Sequence, residues 1–285
     1  MDIPDGYLFI KLINKGKFGK IFLARNKINN NNVVIKSIYI NNDINYEKYK
    51  RYAMMELKIS QIIGCKYPYL LNTIDTINNI NVTNYAYIIS KYHADNIDLY
   101  DAMQSHLLYS LREKINILYQ IGLAIECLHT KLYILHRDIK PENIVLYDGN
   151  TKAFLIDYGL SHFLNDELFY EQVCGTIEFA SPETLFDFKY GTWSDIYSFG
   201  LVIYETCYDV HPYAHITNKF KTNREKIEIL SGYMKNNIKL PKNNFIEDTI
   251  IYDLCLSMVD IDYNKRPTIC DVNIKLNEII ESFNR

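Results

Sequence analysis

The sequence predicts an α+β fold: a small antiparallel sheet with one helix at the front of the chain, and a larger, mainly helical part behind it. Three observations carry this. Residues 7 to 40 alternate strand-like runs (Tyr7 to Ile13, Ile21 to Ala24, Val33 to Ile40) with short polar breaks. Leu111, Ile115, Leu118, Gly122, Ile125 and His129 recur at steps of three and four, which marks one face of a long helix. Trp193 to Tyr208 is apolar nearly all round, so this helix belongs in the centre of a core. With 285 residues and 48% hydrophobic content, the chain can bury the core of one large domain or of two packed lobes.

Composition narrows the function classes. A net charge of -3 leaves no basic footprint for a nucleic acid, and no polybasic block marks a membrane surface, so neither partner is predicted. Cys65, Cys127, Cys174, Cys207, Cys255 and Cys270 are scattered, with no C-x-x-C pair and no zinc spacing. They read as buried thiols in a reducing compartment. The start, Met1-Asp2-Ile3-Pro4-Asp5, lacks a basic-then-apolar signal, and no segment approaches 18 uninterrupted apolar residues. The expectation is a monomeric, intracellular, cytoplasmic protein, in the host cytoplasm were the source a virus. Heavy use of Asn, Ile, Lys and Tyr suits an AT-rich genome, and the Asn run at 29 to 32 reads as codon bias.

In chain order, the first two strand runs flank Asn14-Lys15-Gly16-Lys17-Phe18-Gly19. A dinucleotide fold would open a helix after such a loop, and a Walker loop would need Gly-Lys-Ser/Thr; here Lys20 to Ala24 continues as a strand. Val33-Val34-Ile35-Lys36 puts one lysine at the end of an apolar strand. Met55, Ile59, Ile62 and Ile63 give a helical face over Tyr46 to Ile63, with Glu56 beside it and Glu47 nearer the start. Tyr85 to Ile89 is another apolar strand, followed by Ser90-Lys91-Tyr92-His93.

The long helix from Leu111 leads into His136-Arg137-Asp138-Ile139-Lys140-Pro141-Glu142-Asn143. Ile144 to Tyr147 and Lys152 to Ile156 then read as a hairpin joined at Asp148-Gly149-Asn150. Its open ends bring Asn143, entering the first strand, beside Asp157, leaving the second. An amide oxygen and a carboxylate near Asp138 suit magnesium, which usually keeps phosphate and water among its ligands. Further on stand Asp157-Tyr158-Gly159, Gly175-Thr176-Ile177-Glu178-Phe179-Ala180-Ser181-Pro182-Glu183, Asp195, and Arg266 before Pro267.

His136 to Asn143 resembles the catalytic loop of eukaryotic-type protein kinases, and Asp157-Tyr158-Gly159 their metal-binding triplet with Tyr for Phe. The similarity runs from Leu12 to Arg266. It implies a single kinase domain over 1-285: a small lobe at about 1-90, a hinge at about 90-95 and a large helical lobe at about 96-285. The implied reaction transfers the gamma-phosphoryl group of ATP, with Mg2+ or alternatively Mn2+, to a Ser or Thr hydroxyl of a protein substrate. Asp138 would take the hydroxyl proton, Lys140 steady the transferred group, and Asn143 and Asp157 hold the metal. Lys36 would grip the phosphates, oriented by Glu56, with Glu47 as runner-up.

For the nucleotide, the resemblance implies that Ile13, Asn14, Lys15, Gly16, Lys17, Phe18, Gly19 and Ile21 cover the phosphates and Val34 narrows the roof. Ser90 would be the gatekeeper, Lys91 and Tyr92 would offer backbone groups to adenine, Asp98 would reach the ribose and Val145 line the pocket. Thr176 would bond Asp138 and Lys140, Asp195 the catalytic-loop backbone, and Arg266 would pair with Glu183. Glu142 and Asp98 would favour Arg or Lys before the target residue. Arg137 commonly binds a loop phosphate in related kinases, but the acceptor position falls on Gln172, beside Glu171, whose carboxylate is the expected substitute; Tyr170 is a rival hydroxyl. Three departures, Asn14, Tyr158 and Ser181, support a pseudokinase scaffold as a rival reading. The second rival is a small-molecule phosphotransferase of similar fold, against which the complete activation segment speaks.

Overall fold

β1 (Tyr7–Gly16), β2 (Gly19–Asn26) and β3 (Asn32–Tyr39) run antiparallel, and with β4 (Thr73–Asn79) and β5 (Tyr85–Lys91) make one sheet in the order β1-β2-β3-β5-β4. In this computed structural model the described residues are 3–16, 19–41, 43–108, 110–164, 173–235, 240–241 and 249–283. Lys17 and Phe18 of the predicted phosphate loop lie outside them, as do Tyr170, Glu171 and Gln172. The strands form where β-branched and aromatic residues alternate; β3, for example, reads buried at Val33, Ile35 and Ser37.

Between β3 and β4 lies α1 (Tyr46–Ile63). Its apolar face is wider than the predicted stripe, because it packs on two sides. Ala53 and Leu57 join Ile38, Ile40, Ile80 and Ile88 against the sheet. Ile59 and Ile63, with Met55 beside them, join the core of the helical part instead. One helix therefore couples the two halves of the molecule.

The one-turn α2 (Ile80–Thr83) links β4 to β5, and β6 (Ile97–Asp98) leads into α3 (Leu99–Gln104). α4 (Leu111–Glu126) starts at a capping box in which Ser110 and Glu113 satisfy each other's backbone N–H groups. Its predicted continuation to His129 is a π-helical stretch, Cys127–Leu132, rather than regular α-helix. β7 (Ile134–Leu135) precedes the His136 to Asn143 stretch, and β8 (Ile144–Tyr147) pairs with β9 (Lys152–Leu155) as the predicted hairpin. β10 (His162–Phe163) pairs back with β7.

α5 (Pro182–Asp187), α6 (Thr192–Tyr208), α7 (Ala214–Thr217), α8 (Asn223–Lys235), α9 (Thr249–Met258) and α10 (Ile269–Ser282) complete the helical part. As its composition requires, α6 is central: Ile196, Phe199, Leu201, Val202 and Ile203 are all buried, between α4 and α9. The architecture is a small sheet-plus-helix lobe on a larger helical lobe. Among the described residues, no helix is long and apolar enough to cross a membrane. One expectation fails: Cys127 and Cys255 are buried, but Cys65 and Cys270 are exposed. Scattered spacing excluded a cysteine framework and carried no information on depth.

Candidate active site

The site is built outward from Asp195 on α6, which is 1% exposed. Its Oδ2 accepts the backbone N–H of His136 at 2.8 Å and its Oδ1 that of Arg137 at 2.9 Å. His129 Nε2 lies 2.9 Å from Oδ2, placed there by the π-helical turn. Burial alone would raise the Asp195 carboxyl; hydrogen bonding and charge from His129, with His136, more than offset it and hold it below the usual range. This anchor fixes a strained backbone, since Arg137 has φ 67. A non-glycine residue holds that conformation only where its surroundings over-determine it.

Asp138 follows directly. Its Oδ1 accepts both the backbone N–H and the hydroxyl of Thr176, each at 2.9 Å. Asn143 Nδ2 donates to its Oδ2 at 3.0 Å and to its backbone carbonyl at 2.7 Å. Lys140 Nζ stands 3.3 Å from Oδ2 and donates to Thr176 Oγ1 at 2.8 Å. The activation segment comes this close because Gly175 precedes Thr176. At φ 89, a Cβ there would sit 2.5 Å from the Arg137 carbonyl oxygen.

The hairpin delivers the second carboxylate. Ile156 N–H donates to Asn143 O at 2.9 Å, closing the hairpin so that Asp157 leaves it beside Asn143. From the other lobe, Lys36 Nζ reaches Asp157 Oδ1 at 2.7 Å and Glu56 Oε1 at 2.5 Å. Glu47, the runner-up, is exposed on the first turn of α1. Burial lifts the Glu56 carboxyl, partly countered by Lys36. For Asp157, burial would raise the group, but Lys36, the Gly159 N–H and His136 hold it below its ordinary value. Lys36 stays protonated because its two carboxylates outweigh the cost of burial.

The donor set fits a nucleotide-bound magnesium. Asn143 spends its Nδ2 on Asp138, and its amide oxygen makes no hydrogen bond among the described residues. Asp157 uses Oδ1 for Lys36 and the Gly159 N–H, and its Oδ2 makes none. Two protein oxygens suffice for an ion that takes its remaining ligands from phosphate and water.

Cross-strand register places several nucleotide candidates on one face of the sheet, since opposed residues point the same way. Ile21 stands opposite Lys36, Val34 opposite Ser90, and Asn14 opposite Ile21. Ser90 is buried. Ile13 falls at a register shift between Leu12 and Asn14 and stands exposed. Asn14 is not among the left-handed residues, so its place needs no glycine on conformational grounds; its Oδ1 accepts the Lys15 N–H at 2.7 Å. Lys15 and Gly16 end β1, and Gly19 opens β2 opposite Gly16.

The Lys91 N–H donates to Asn72 O at 3.0 Å, and Tyr92 follows it just past β5. Asp98 is the N-cap of α3, its Oδ1 accepting the Asp101 N–H at 2.8 Å. Asp98 and Val145 face each other across the β6–β8 pair.

Two residues went unread in the sequence. His129 registered only as a step in a helical face. Glu205, on α6, is driven up to about 7 by burial and then by the negative charge of Glu142, and its Oε2 is buried without a partner among the described residues. Its signal was a single acid inside the apolar run Leu201 to Cys207.

The protein kinase domain model matches residues 7–275. The chain belongs to this family. It is 31% identical over 267 residues to the serine/threonine-protein kinase ppk6 of Schizosaccharomyces pombe, covering 92% of this chain and 32% of that protein. To the human serine/threonine-protein kinase Nek5 it is 33% identical over 214 residues, covering 73% of this chain and 29% of Nek5. To the carbon catabolite-derepressing protein kinase of Secale cereale it is 27% identical over 270 residues, covering 93% and 50%. The chain thus spans about a third of the length of ppk6 and of Nek5. In this kinase domain the Glu183–Arg266 pair is buried and bidentate, at 2.7 and 2.8 Å, and Arg266 also donates to the carbonyls of Trp193 and Asp260.

Proposed function

We propose that this kinase domain phosphorylates Ser and Thr hydroxyls of protein substrates, using ATP with magnesium or manganese. The observation that carries the reading is the closed set Asp138, Lys140 and Thr176, which joins the catalytic loop to the activation segment. Bound ATP supplies the phosphoryl group, and a metal held by Asn143 and Asp157 supplies the positive charge that offsets its developing negative charge. The chain's own residues do the positioning. Asp138 accepts the proton of the substrate hydroxyl, and Thr176 fixes the rotation of its carboxylate through two bonds to one oxygen. Lys140, beside that carboxylate, is a compact charge available to the transferred group. Lys36, held between Glu56 and Asp157, orients the phosphates from the small lobe.

The same proposal extends to substrate choice. Glu142 is exposed just after the catalytic Asp-Ile-Lys-Pro run, and Glu205 lies close enough for Glu142 to disturb its charge. Two neighbouring carboxylates favour a peptide carrying Arg or Lys near the target residue, and such a cation would complete the unsatisfied oxygen of Glu205.

The test is phosphate transfer from labelled ATP to a panel of Ser/Thr peptides. Wild type should label them, and Asp138→Asn should lose about 100- to 10,000-fold in kcat. No transfer by wild type with either metal would leave the scaffold reading in its place.

A further inference from the structure

Tyr158 stands between Asp157 and Gly159, and its hydroxyl is engaged on both sides. The ring is 1% exposed and meets His136 edge-on, with centroids 5.8 Å apart. The hydroxyl donates to Leu155 O at 3.0 Å and accepts the Leu71 N–H at 3.2 Å. Both partners are themselves fixed. Leu155 ends β9, and its N–H donates to Tyr69 O at 2.8 Å. Leu71 lies between α1 and β4, and its N–H is shared with Leu155 O at 3.2 Å. The hydroxyl therefore ties the residue after Asp157 to the seam where segment 69–71 meets β9.

The seam matters because Asp157 has φ 66, in the left-handed region where a non-glycine residue must be held in place. On its side-chain end Lys36 and the Gly159 N–H hold it. On its chain end the adjoining ring cannot leave its cavity without stripping a buried hydroxyl of both partners.

The geometry points to the Tyr158 hydroxyl as a latch: a positioning residue that keeps the Asp157 carboxylate turned towards Lys36 before any nucleotide arrives. A phenylalanine ring fills the same space and makes neither bond. The inference rests on the proposed kinase reaction only for its consequence, a metal ligand set in advance; the latch itself is a property of the folded chain.

Tyr158→Phe is the variant to use, because Leu71 N–H keeps its bond to Leu155 O and the ring packing is retained. Hydrogen exchange by mass spectrometry compares the full chain with this variant, both free of nucleotide. The latch predicts about tenfold faster exchange in segments 68–73 and 155–161, in line with the loss of two ordinary hydrogen bonds, with 111–126 unchanged. Equal exchange in the two chains would overturn the proposal. Faster exchange spread evenly into 111–126 would overturn it too, since that describes general loosening. Both readings stand whether or not the chain transfers phosphate, so a failure here is distinct from a failure of the kinase assignment.

Discussion

Thr176 and Asp138 are joined twice, the backbone N–H and the hydroxyl of Thr176 both donating to Asp138 Oδ1 at 2.9 Å. The same hydroxyl accepts from Lys140 at 2.8 Å, so one side chain fixes the spacing between the proposed base and the proposed phosphate-steadying lysine. Thr176→Ala keeps the backbone bond and removes the other two. It should lower kcat by about 10- to 100-fold with a smaller change in peptide KM, because what is lost is orientation at the reacting atoms. Thr176→Ser should restore most of the rate; if Ala and Ser behave alike, the hydroxyl is not the reason for the arrangement.

Glu205 predicts a pH effect whose sign follows from its raised acidity constant. The carboxyl, about 7 in the fold against an ordinary value of 4.5, is largely neutral below neutrality and charged above it. A peptide with Arg before its target Ser should therefore bind better as pH rises from about 6 to about 8. Its KM should fall relative to that of the matching Ala peptide, and Glu205→Gln should flatten the difference. A KM ratio independent of pH in wild type would remove Glu205 from the subsite.

The Arg266–Glu183 pair is a stability element. Both groups are buried, and every guanidinium nitrogen of Arg266 takes part in a bond to Glu183, Trp193 or Asp260. Arg266→Ala would leave a buried carboxylate unpaired, at a cost of about 3 to 5 kcal/mol. Arg266→Lys keeps the charge but cannot reproduce the planar fork, and should fall between the two. Urea unfolding reads this directly, and a midpoint for Arg266→Ala equal to wild type would refute it.

Ser90 is the residue proposed to set the depth of the nucleotide pocket. It is buried and shares a sheet face with Val34 and Lys36. Its small side chain leaves room behind an adenine ring, so ATP analogues enlarged at the exocyclic amine should be accepted, and Ser90→Met should exclude them. Competition binding measures this, with equal affinity of both proteins for the enlarged analogue as the contrary result.

What the sequence made legible, and what it did not, divides by how local the physics is. β8 and β9, the helix at α6 and the His136 to Asn143 stretch are specified by period and by neighbours in the chain, and each lies where its pattern puts it. Glu56 rather than Glu47 followed from the apolar face it adjoins. Near the hinge the sequence did not show where two groups bond: the Lys91 N–H donates to Asn72 O and Asp98 caps α3, partners that lie outside the motif. His129 was hidden by the change from α- to π-helix, which alters the direction of a side chain without altering the apolar spacing. Glu205 needed the fold itself, since only packing brings it to Glu142. Depth at the cysteines was equally beyond a count of their spacing.

The most direct test of the central claim is transfer of phosphate from gamma-labelled ATP to a protein Ser or Thr, with acid-stable product identified by residue. Wild type with magnesium should label Ser or Thr, while Asp138→Asn and Asp157→Ala should each abolish nearly all of it. Label absent from wild type, or undiminished in both variants, would contradict the account.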